Sequence, residues 1–311
     1  MFQLLLFLCE NNNMKIPRFA LVALAKWTDK AIQKRRKGYP PHGLYEEYLN
    51  VPYIDDDCLF HKYDVYKAKD RSKKCCIIDV HGGSYMFSNH EDNYPFGLVF
   101  LEKGFDFMTP DYVPADGKRE TLDLVRDCVN CINHFVDHIK DYGLEDDCFF
   151  ITGDSAGGHF ALLLAELMTN KEIQEKLDLN LPDIDLRGVL LNCPVYDFEY
   201  TGYGMLTKGA MKRMFGKNYS LEKMRMVSPK TYIDSFKLPL FLSTCKYDFI
   251  RHESLKLNED MSKKDNIYKY VNLNIDKKEV NHVHNVVYLK MEESIYVNNQ
   301  MIDFIDEILK K

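Results

Sequence analysis

The sequence predicts an α/β protein in which helices cover both faces of a mostly parallel sheet. Short apolar runs alternate along the chain with longer segments whose apolar residues recur at helical spacing. Several of the short runs are apolar almost throughout, which is typical of strands buried on both faces of a parallel sheet. At 311 residues the chain is long enough to bury one large core, and α/β folds of this length often form a single unit.

The predicted elements follow one another in a regular order from residue 74. The first strand, at 74–80, has the sequence KCCIIDV, and an amphipathic helix at 120–139 has Leu122, Val125 and Val129 on one face. The strand CFFIT at 148–152 runs into a strongly apolar helix at 158–169. Further strands are predicted at 104–109, 189–192, 238–244 and 268–275, and the last helix at 292–309. Strands that alternate with helices imply a mostly parallel sheet.

Two stretches interrupt this alternation of strands and helices. Residues 1–50 precede the first predicted strand and include an amphipathic stretch at 19–32. Residues 198–227 are rich in Gly, Met and Tyr and are too long for a simple loop. We expect an N-terminal cap segment at 1–50 and a catalytic domain at 51–311 with a cap insertion at 198–227, because ligands bind at the carboxyl ends of strands in such sheets. The alternative is that both stretches are peripheral.

The composition argues against nucleic-acid-binding and membrane-spanning classes. The net charge is −6, and the longest basic run, at 34–37, is better interpreted as a solvated helix end. The apolar segment at 2–9 is far shorter than the roughly 20 residues that a membrane span needs. It also lacks the basic start and the small-residue cleavage site of a signal peptide. We therefore expect a cytoplasmic protein without a stable membrane span.

The nine cysteines are expected to be free and reduced. Cys128 and Cys131 have CxxC spacing, but they fall inside a helical pattern, and no second pair with metal-site spacing accompanies them. The sequence thus predicts neither a structural metal nor an organic cofactor.

The strongest chemical signal is the motif Gly153-Asp154-Ser155-Ala156-Gly157, which fits GxSxG. An apolar strand enters it and an apolar helix follows, as a nucleophile elbow requires. The serine must stand on a tight turn, and the glycines allow the strand and the helix to approach closely. We predict that Ser155 is a catalytic nucleophile; the alternative is an ordinary Gly-rich turn.

A second signal, His81-Gly82-Gly83-Ser84, directly follows the first predicted strand. A tetrahedral intermediate needs preorganised N–H donors for its oxyanion. We predict that the backbone amides of Gly82, Gly83 and Ala156 form this oxyanion hole, whereas His81 shapes the loop.

A serine nucleophile needs a base and an acid, which in this strand–elbow–helix arrangement follow it in the chain. Asp248, at the end of the strand LPLFLSTC, is the predicted acid, and Asp197 after the preceding strand is its rival. His282 and His284 both lie between the last strand and the last helix. Spacing alone leaves open which of these two is the base.

Together these segments resemble the hormone-sensitive-lipase-like family of α/β-hydrolases. The matching stretches are HGG at 81–83, GDSAGG at 153–158, DFIRHES at 248–254 and HVHNV at 282–286. The resemblance implies an eight-stranded, mostly parallel sheet under a helical cap, and it implies that His282 is the base, with His284 at the family's aromatic position. Two departures are HGGS in place of HGGG, and Asp111-Tyr112-Val113-Pro114-Ala115-Asp116 where the family continues Arg-Leu-Ala-Pro-Glu after the tyrosine.

The resemblance implies a serine hydrolase of carboxylic esters, with short-chain acyl esters as the expected substrates. The expected partner is a small-molecule ester, and the sequence leaves a homodimer open. An amide or formamide hydrolase with the same triad is the first alternative, because fold does not fix function. A non-catalytic ligand-binding module is the second. Fluorophosphonate labelling separates the module from a hydrolase, and matched esters and amides separate the two enzymes.

Overall fold

A computed structural model describes residues 39–145, 147–199 and 208–311. An eight-stranded sheet runs through these residues with the strand order β1-β2-β4-β3-β5-β6-β7-β8. Strand β2 is antiparallel to both β1 and β4, and all the other neighbouring pairs are parallel. The predicted α/β-hydrolase fold, with a mostly parallel eight-stranded sheet, is confirmed.

The strands are β1 (Glu46–Pro52), β2 (Lys62–Lys67), β3 (Cys75–Val80), β4 (Asp106–Pro110), β5 (Cys148–Asp154), β6 (Leu186–Asn192), β7 (Leu240–Cys245) and β8 (Tyr268–Leu273). The helices are α1 (Tyr94–Leu101), α2 (Thr121–Asp137), α3 (Ala156–Thr169), α4 (Lys171–Leu177), α5 (Lys208–Phe215), α6 (Leu221–Met226), α7 (Arg251–Met261), α8 (His284–Val287) and α9 (Glu292–Leu309). Short 3₁₀ turns lie at His90–Asn93, Ile139–Tyr142, Pro229–Thr231 and Ile233–Ser235.

Strand β3 shows why the apolar runs become central strands. Every one of its residues is buried, and successive side chains enter opposite faces of the sheet. Cys76 and Ile78 join a cluster that includes helices α2 and α3, whereas Cys75 and Ile77 join a second cluster that includes α1 and α9. Each face of the sheet therefore has its own hydrophobic core and its own helices.

The edge of the sheet begins earlier than the predicted boundary at residue 50. Strand β1 spans Glu46–Pro52 and is partly exposed along its length. Its polar and apolar residues are mixed because an edge strand needs no continuous apolar run. Residues 46–50 are thus part of the sheet, a correction to the N-terminal cap segment predicted at 1–50, and residues 1–38 lie outside the described residues.

The predicted cap insertion at 198–227 contains two short helices, α5 and α6. Met214 and Phe215 at the end of α5 are buried, and the Phe215 ring packs edge-on against Phe198, with the ring centroids 5.2 Å apart. Thr121 at the start of α2 donates to the Met214 carbonyl at 2.9 Å. These residues pack on the body of the protein, whereas the predicted cap residues at 200–207 lie outside the described residues.

The eight cysteines in the described segments are free, as predicted. Cys128 and Cys131 are buried in α2, and Cys75 and Cys148 are register partners in the neighbouring strands β3 and β5. Throughout the described segments, each helix is too short or too polar to span a bilayer.

Candidate active site

Parallel strands bring the predicted site residues to one edge of the sheet. Ser155 follows β5 directly, and Asp248 lies three residues after the end of β7. His282 is in the long loop between β8 and α8. A parallel bridge between Tyr247 and Asn281 holds that loop beside the end of β7. Each bridge residue directly precedes a predicted catalytic residue, so the bridge places Asp248 and His282 side by side.

Ser155 stands on a strained turn. Its backbone has φ 54° and ψ −117°, a conformation that costs free energy for any residue with a side chain. A Cβ at Gly153 would lie 2.3 Å from the Gly157 carbonyl oxygen, and one at Gly157 would lie 1.9 Å from the Val80 carbonyl oxygen. Only glycine therefore fits at positions 153 and 157. The Ser155 amide donates to the Asn192 carbonyl at 2.9 Å, which anchors the turn to β6.

The predicted acid and base form a direct pair. Nδ1 of His282 lies 2.7 Å from Oδ1 of Asp248. The carboxylate also accepts from the Thr244 hydroxyl at 2.8 Å and from the Ile250 amide at 3.0 Å. Burial acts to raise the pKa of Asp248, but the positive charge of His282 and these hydrogen bonds outweigh burial and lower it. The carboxylate is thus held ionised, and Nε2 of His282 is left for proton transfer.

The structure distinguishes the two histidines that spacing left open. His284 is buried, and its Nδ1 faces the Asn281 carbonyl oxygen at 3.2 Å. Within the described residues, His282 is the histidine hydrogen-bonded to Asp248. Its ring also packs against Phe249, with the ring centroids 4.2 Å apart.

The rival acid Asp197 has a different set of partners. One of its carboxylate oxygens accepts from the Glu199 amide at 2.8 Å, and the other pairs with the ammonium group of Lys256. This arrangement is that of a turn and ion-pair residue. The geometry therefore brings Asp248, and not Asp197, to a histidine.

The backbone amides of the Gly-rich loop after β3 differ in whether they have a hydrogen-bond acceptor within the protein. The Gly82 amide donates to Oδ1 of Asp154 at 3.1 Å, so it is engaged inside the protein. The Gly83 amide, on a residue with φ 121°, and the Ser84 amide have no acceptor in the described part of the chain. Ala156 is the first residue of α3, where backbone N–H groups lack partners within the helix. The oxyanion-hole role of Gly82 stays a prediction, and it requires the bond to Asp154 to open.

A buried ionic network supports this loop, and the sequence analysis missed most of it. Nε2 of His81 lies 3.0 Å from Asp111, whose other oxygen lies 2.7 Å from Nδ1 of His90. Tyr112 stacks on His81 at 4.4 Å and donates to the His81 carbonyl at 3.0 Å. Burial acts to lower the pKa of His90, but Asp111 and Asp64 raise it to about 10. The departure from the family pattern directly after Tyr112 was the nearest available signal in the sequence.

A pair of carboxyl groups lies beneath the nucleophile elbow. The Nδ2 group of Asn93 donates to Asp79 and to Asp154, in each case at 2.9 Å. Burial, and then the charge of Asp154, raise the pKa of Asp79 to about 8. Asp79 is the lone charged residue in the apolar strand CCIIDV, and this would have marked it in the sequence.

An aromatic group lies beside the elbow. Tyr85 follows the Gly-rich loop, and its ring centroid lies 5.6 Å from that of His159 and 5.8 Å from that of Phe198. His159, on α3, donates from Nε2 to the Val227 carbonyl, and burial lowers its pKa to about 4. These rings and Phe215 connect the elbow to the predicted cap insertion.

Fold and site together define the class of protein: an α/β-hydrolase of the hormone-sensitive-lipase-like type, as predicted. The sequence model of the BD-FAE family matches residues 63–261, and the chain belongs to that family. A comparison with curated proteins found no match.

Solved structures of esterases have the same fold. Esterase B from Lactobacillus rhamnosis, inhibited by a tributyrin phosphonate, is 20% identical with a TM-score of 0.83, and the match covers 94% of this chain and 97% of that one. A bacterial heroin esterase is 17% identical with a TM-score of 0.72, covering 96% of this chain and 95% of its own. A truncated carbohydrate esterase from gut microbiota is 15% identical with a TM-score of 0.68, covering 88% and 99%.

Proposed function

We propose that this protein hydrolyses carboxylic esters through an acyl-enzyme formed on Ser155. The observation that carries the proposal is the Asp248–His282 hydrogen bond of 2.7 Å at the edge of the sheet where Ser155 stands on its strained turn. A serine hydroxyl is a weak nucleophile without a base, and these residues provide a base held by a buried carboxylate. The esterase names of the structural neighbours support the same chemistry.

In the first half of the proposed reaction, Nε2 of His282 removes the Ser155 proton while the oxygen attacks the ester carbonyl carbon. The amides of Gly83 and Ala156 stabilise the oxyanion, and the Gly82 amide joins them if it leaves Asp154. The His282 imidazolium, stabilised by Asp248, then gives its proton to the departing alcohol. Water repeats these steps on the acyl-enzyme, releases the acid and restores the serine.

The proposed substrates are short-chain acyl esters. The aromatic side chains of Tyr85, Phe198 and Phe215 are all buried and pack next to one another beside the elbow. In our proposal these rings close one end of the acyl pocket and limit the length of the chain. Residues 198–227 act as the cap that shapes the rest of the pocket. The tributyrin phosphonate bound by esterase B, a related fold, supports a short acyl group.

The proposed location is the cytoplasm, where thiols stay reduced. The buried free thiols Cys75 and Cys148, which are partners across neighbouring strands, support this compartment. Cell fractionation with an antibody to the chain tests it, and recovery outside the cytoplasmic fraction overturns it.

The test is hydrolysis of p-nitrophenyl acetate, butyrate and octanoate by the wild-type protein and by Ser155→Ala. We expect the wild type to cleave the two short esters fastest, and the variant to lose several orders of magnitude in kcat. Matched p-nitroanilides measure amide hydrolysis, and a fluorophosphonate probe measures labelling of Ser155. Faster cleavage of the anilides would replace esters with amides as the substrate class. Full activity of Ser155→Ala, or a wild type that neither reacts with the probe nor cleaves any ester, would overturn the proposal.

A further inference from the structure

The loop between β1 and β2, residues 53–61, brings together three side chains that bind soft divalent cations. A carboxylate oxygen of Asp56, the thiol of Cys58 and an imidazole nitrogen of His61 all lie within 4.8 Å of one another. None of the three belongs to the proposed catalytic set. We propose that Asp56, Cys58 and His61 form a binding site for a single zinc ion.

The backbone of this loop holds the three residues together. The Tyr53 amide donates to the His61 carbonyl at 3.1 Å, which closes the loop at the mouth of the β1–β2 hairpin. The Cys58 amide donates to Oδ1 of Asp56 at 2.9 Å. This bond orients the Asp56 carboxylate, so that its other oxygen, Oδ2, faces His61 at 2.7 Å.

The imidazole of His61 has an unsatisfied nitrogen that a metal would explain. Its Nδ1 faces Asp56, whereas its buried Nε2 has no hydrogen-bond partner and lies 3.9 Å from Oδ1 of Asp127. A neutral imidazole has a single N–H. If Nδ1 donates that hydrogen to Asp56, the bare lone pair of Nε2 is directed toward the Asp127 carboxylate. A metal ion on Nδ1 moves the hydrogen to Nε2, where it can approach Asp127.

This is the outer-shell arrangement that metal-bound histidines use, in which the second ring nitrogen donates to a carboxylate. Asp127 is buried, and other partners hold its carboxylate in place. Both of its oxygens lie 2.6 Å from the Arg119 guanidinium, and one also accepts from the Val113 amide at 2.9 Å.

The ligand types indicate zinc rather than calcium or magnesium. One thiolate, one imidazole and one carboxylate suit Zn²⁺, whereas Ca²⁺ and Mg²⁺ prefer oxygen ligands alone. Tetrahedral zinc separates neighbouring ligand atoms by roughly 3–4 Å, so the cluster needs only small shifts. Asp56 is exposed and Cys58 is partly exposed, which leaves an open approach and room for water as the fourth ligand.

A second set with the same ligand types serves as the internal comparison. Cys193, Asp248 and His282 also converge within 4.8 Å. However, the Asp248–His282 bond belongs to the proposed catalytic site, and Cys193 is buried with its sulfur accepting from the Val283 amide at 3.5 Å. Cys193 and Asp248 of this set are buried, and a metal there would disable the proposed base.

The test is metal binding by the reduced full-length chain after treatment with a chelator. Cobalt is titrated first, because a thiolate–cobalt charge-transfer band reports a sulfur ligand, and zinc then displaces it. We expect about one equivalent of zinc to remain after dialysis, measured by mass spectrometry. Cys58→Ser should remove the charge-transfer band, and His61→Gln should weaken binding by more than tenfold. Asp127→Asn should weaken zinc binding by about 10- to 100-fold and keep the band.

Two control variants locate the metal. Asp57→Asn changes an exposed neighbouring carboxylate outside the cluster, and Cys193→Ser removes the thiol of the second set; both should bind zinc like the wild type. Circular dichroism establishes that each variant is folded. A wild type that retains no stoichiometric zinc, a band that survives Cys58→Ser, or binding lost in Cys193→Ser would each overturn the proposal. Ester hydrolysis by the metal-free wild type is measured separately, so the failure of either proposal leaves the other intact.

Discussion

Two buried aspartates near the carboxyl ends of the central strands respond to burial in opposite ways. Asp248, beyond β7, faces His282 and has a lowered pKa. Asp79, near the end of β3, shares an Asn93 amide group with Asp154, and its pKa is raised to about 8. Both side chains are almost inaccessible, so burial alone does not decide the charge. The pairing with His282 and the hydrogen bonds from Thr244 and Ile250 keep the first aspartate ionised, whereas burial and then the charge of Asp154 keep the second protonated near neutral pH.

The comparison teaches that the two sides of the site use carboxyl groups for different purposes. On the β7 side an ionised carboxylate holds the imidazole of His282, the proposed base, and would stabilise its imidazolium. On the β3 and β5 side a protonated carboxyl group lies under the elbow and the Gly-rich loop, where the Gly82 amide reaches Asp154. Substitutions that remove the charge should therefore be severe on the first side and mild on the second.

The largest expected effect comes from Asp248→Asn. The asparagine amide would donate to Nδ1 of His282 and hold the imidazole in the wrong tautomer for accepting the Ser155 proton. We expect kcat for p-nitrophenyl butyrate to fall by roughly 10³- to 10⁴-fold with little change in KM. The control is Asp197→Asn, which should leave kcat nearly unchanged. Equal losses in the two variants would contradict the assignment of the acid.

The same variant has a predicted dependence on pH. Because the folded pKa of Asp248 lies below its ordinary value, the stabilisation from its ionised form is present at neutral pH and is lost as the pH falls through the folded pKa. The difference in Tm between wild type and Asp248→Asn should therefore shrink in acid. Thermal denaturation between pH 7 and pH 3 measures it, and a difference that grows in acid would contradict the prediction.

The second expected effect is on the stability of Asp79→Asn. Its pH dependence is opposite in sign to that of Asp248→Asn. A raised folded pKa means that the contribution of Asp79 is fully present below the unfolded pKa, near 4, and is lost as the pH rises through about 8. Asparagine keeps an oxygen for Asn93 but has no proton to lose. The Tm of the variant relative to wild type should therefore increase between pH 6 and pH 9.

Thermal denaturation across that range checks the prediction for Asp79. The exposed Asp183 provides the control, and Asp183→Asn should show a constant difference from wild type over the same range. If Asp79→Asn also shows a constant difference, Asp79 does not titrate in this window and the comparison with Asp248 fails.

The sequence predicted the central strands and the tight strand–turn–helix geometry around Ser155 well because their signals are local. The apolar run at 148–152 and the glycines around Ser155 allow few other structures. The half-exposed strand β1 has no such signal, and its mixed pattern did not separate it from the N-terminal segment.

Other features depend on contacts between distant parts of the chain. The pairing of His282, rather than His284, with Asp248 depends on the bridge between Tyr247 and Asn281, and only the family resemblance had indicated His282. The direction of the Gly82 amide depends on Asp154, which lies 72 residues later in the chain. Spacing along the sequence predicts neither the histidine that pairs with Asp248 nor the direction of the Gly82 amide. Both depend on the way that the ends of β3, β5 and β7 come together at one edge of the sheet.

The smallest predicted effect concerns the Gly-rich loop at 81–84. It tests how much a single neutral hydrogen bond contributes to holding this loop in place. Tyr112→Phe removes the hydroxyl that donates to the His81 carbonyl at 3.0 Å but keeps the ring stacked on His81. The loss of one neutral hydrogen bond costs about 1 kcal/mol, which corresponds to roughly a fivefold fall in kcat if it loosens the Gly83 amide. Tyr94→Phe is the control, because its hydroxyl bonds to the Pro41 carbonyl, outside the site. A fall as large as that of Asp248→Asn would mean that the loop, and not the charged pair, limits the geometry of the reaction.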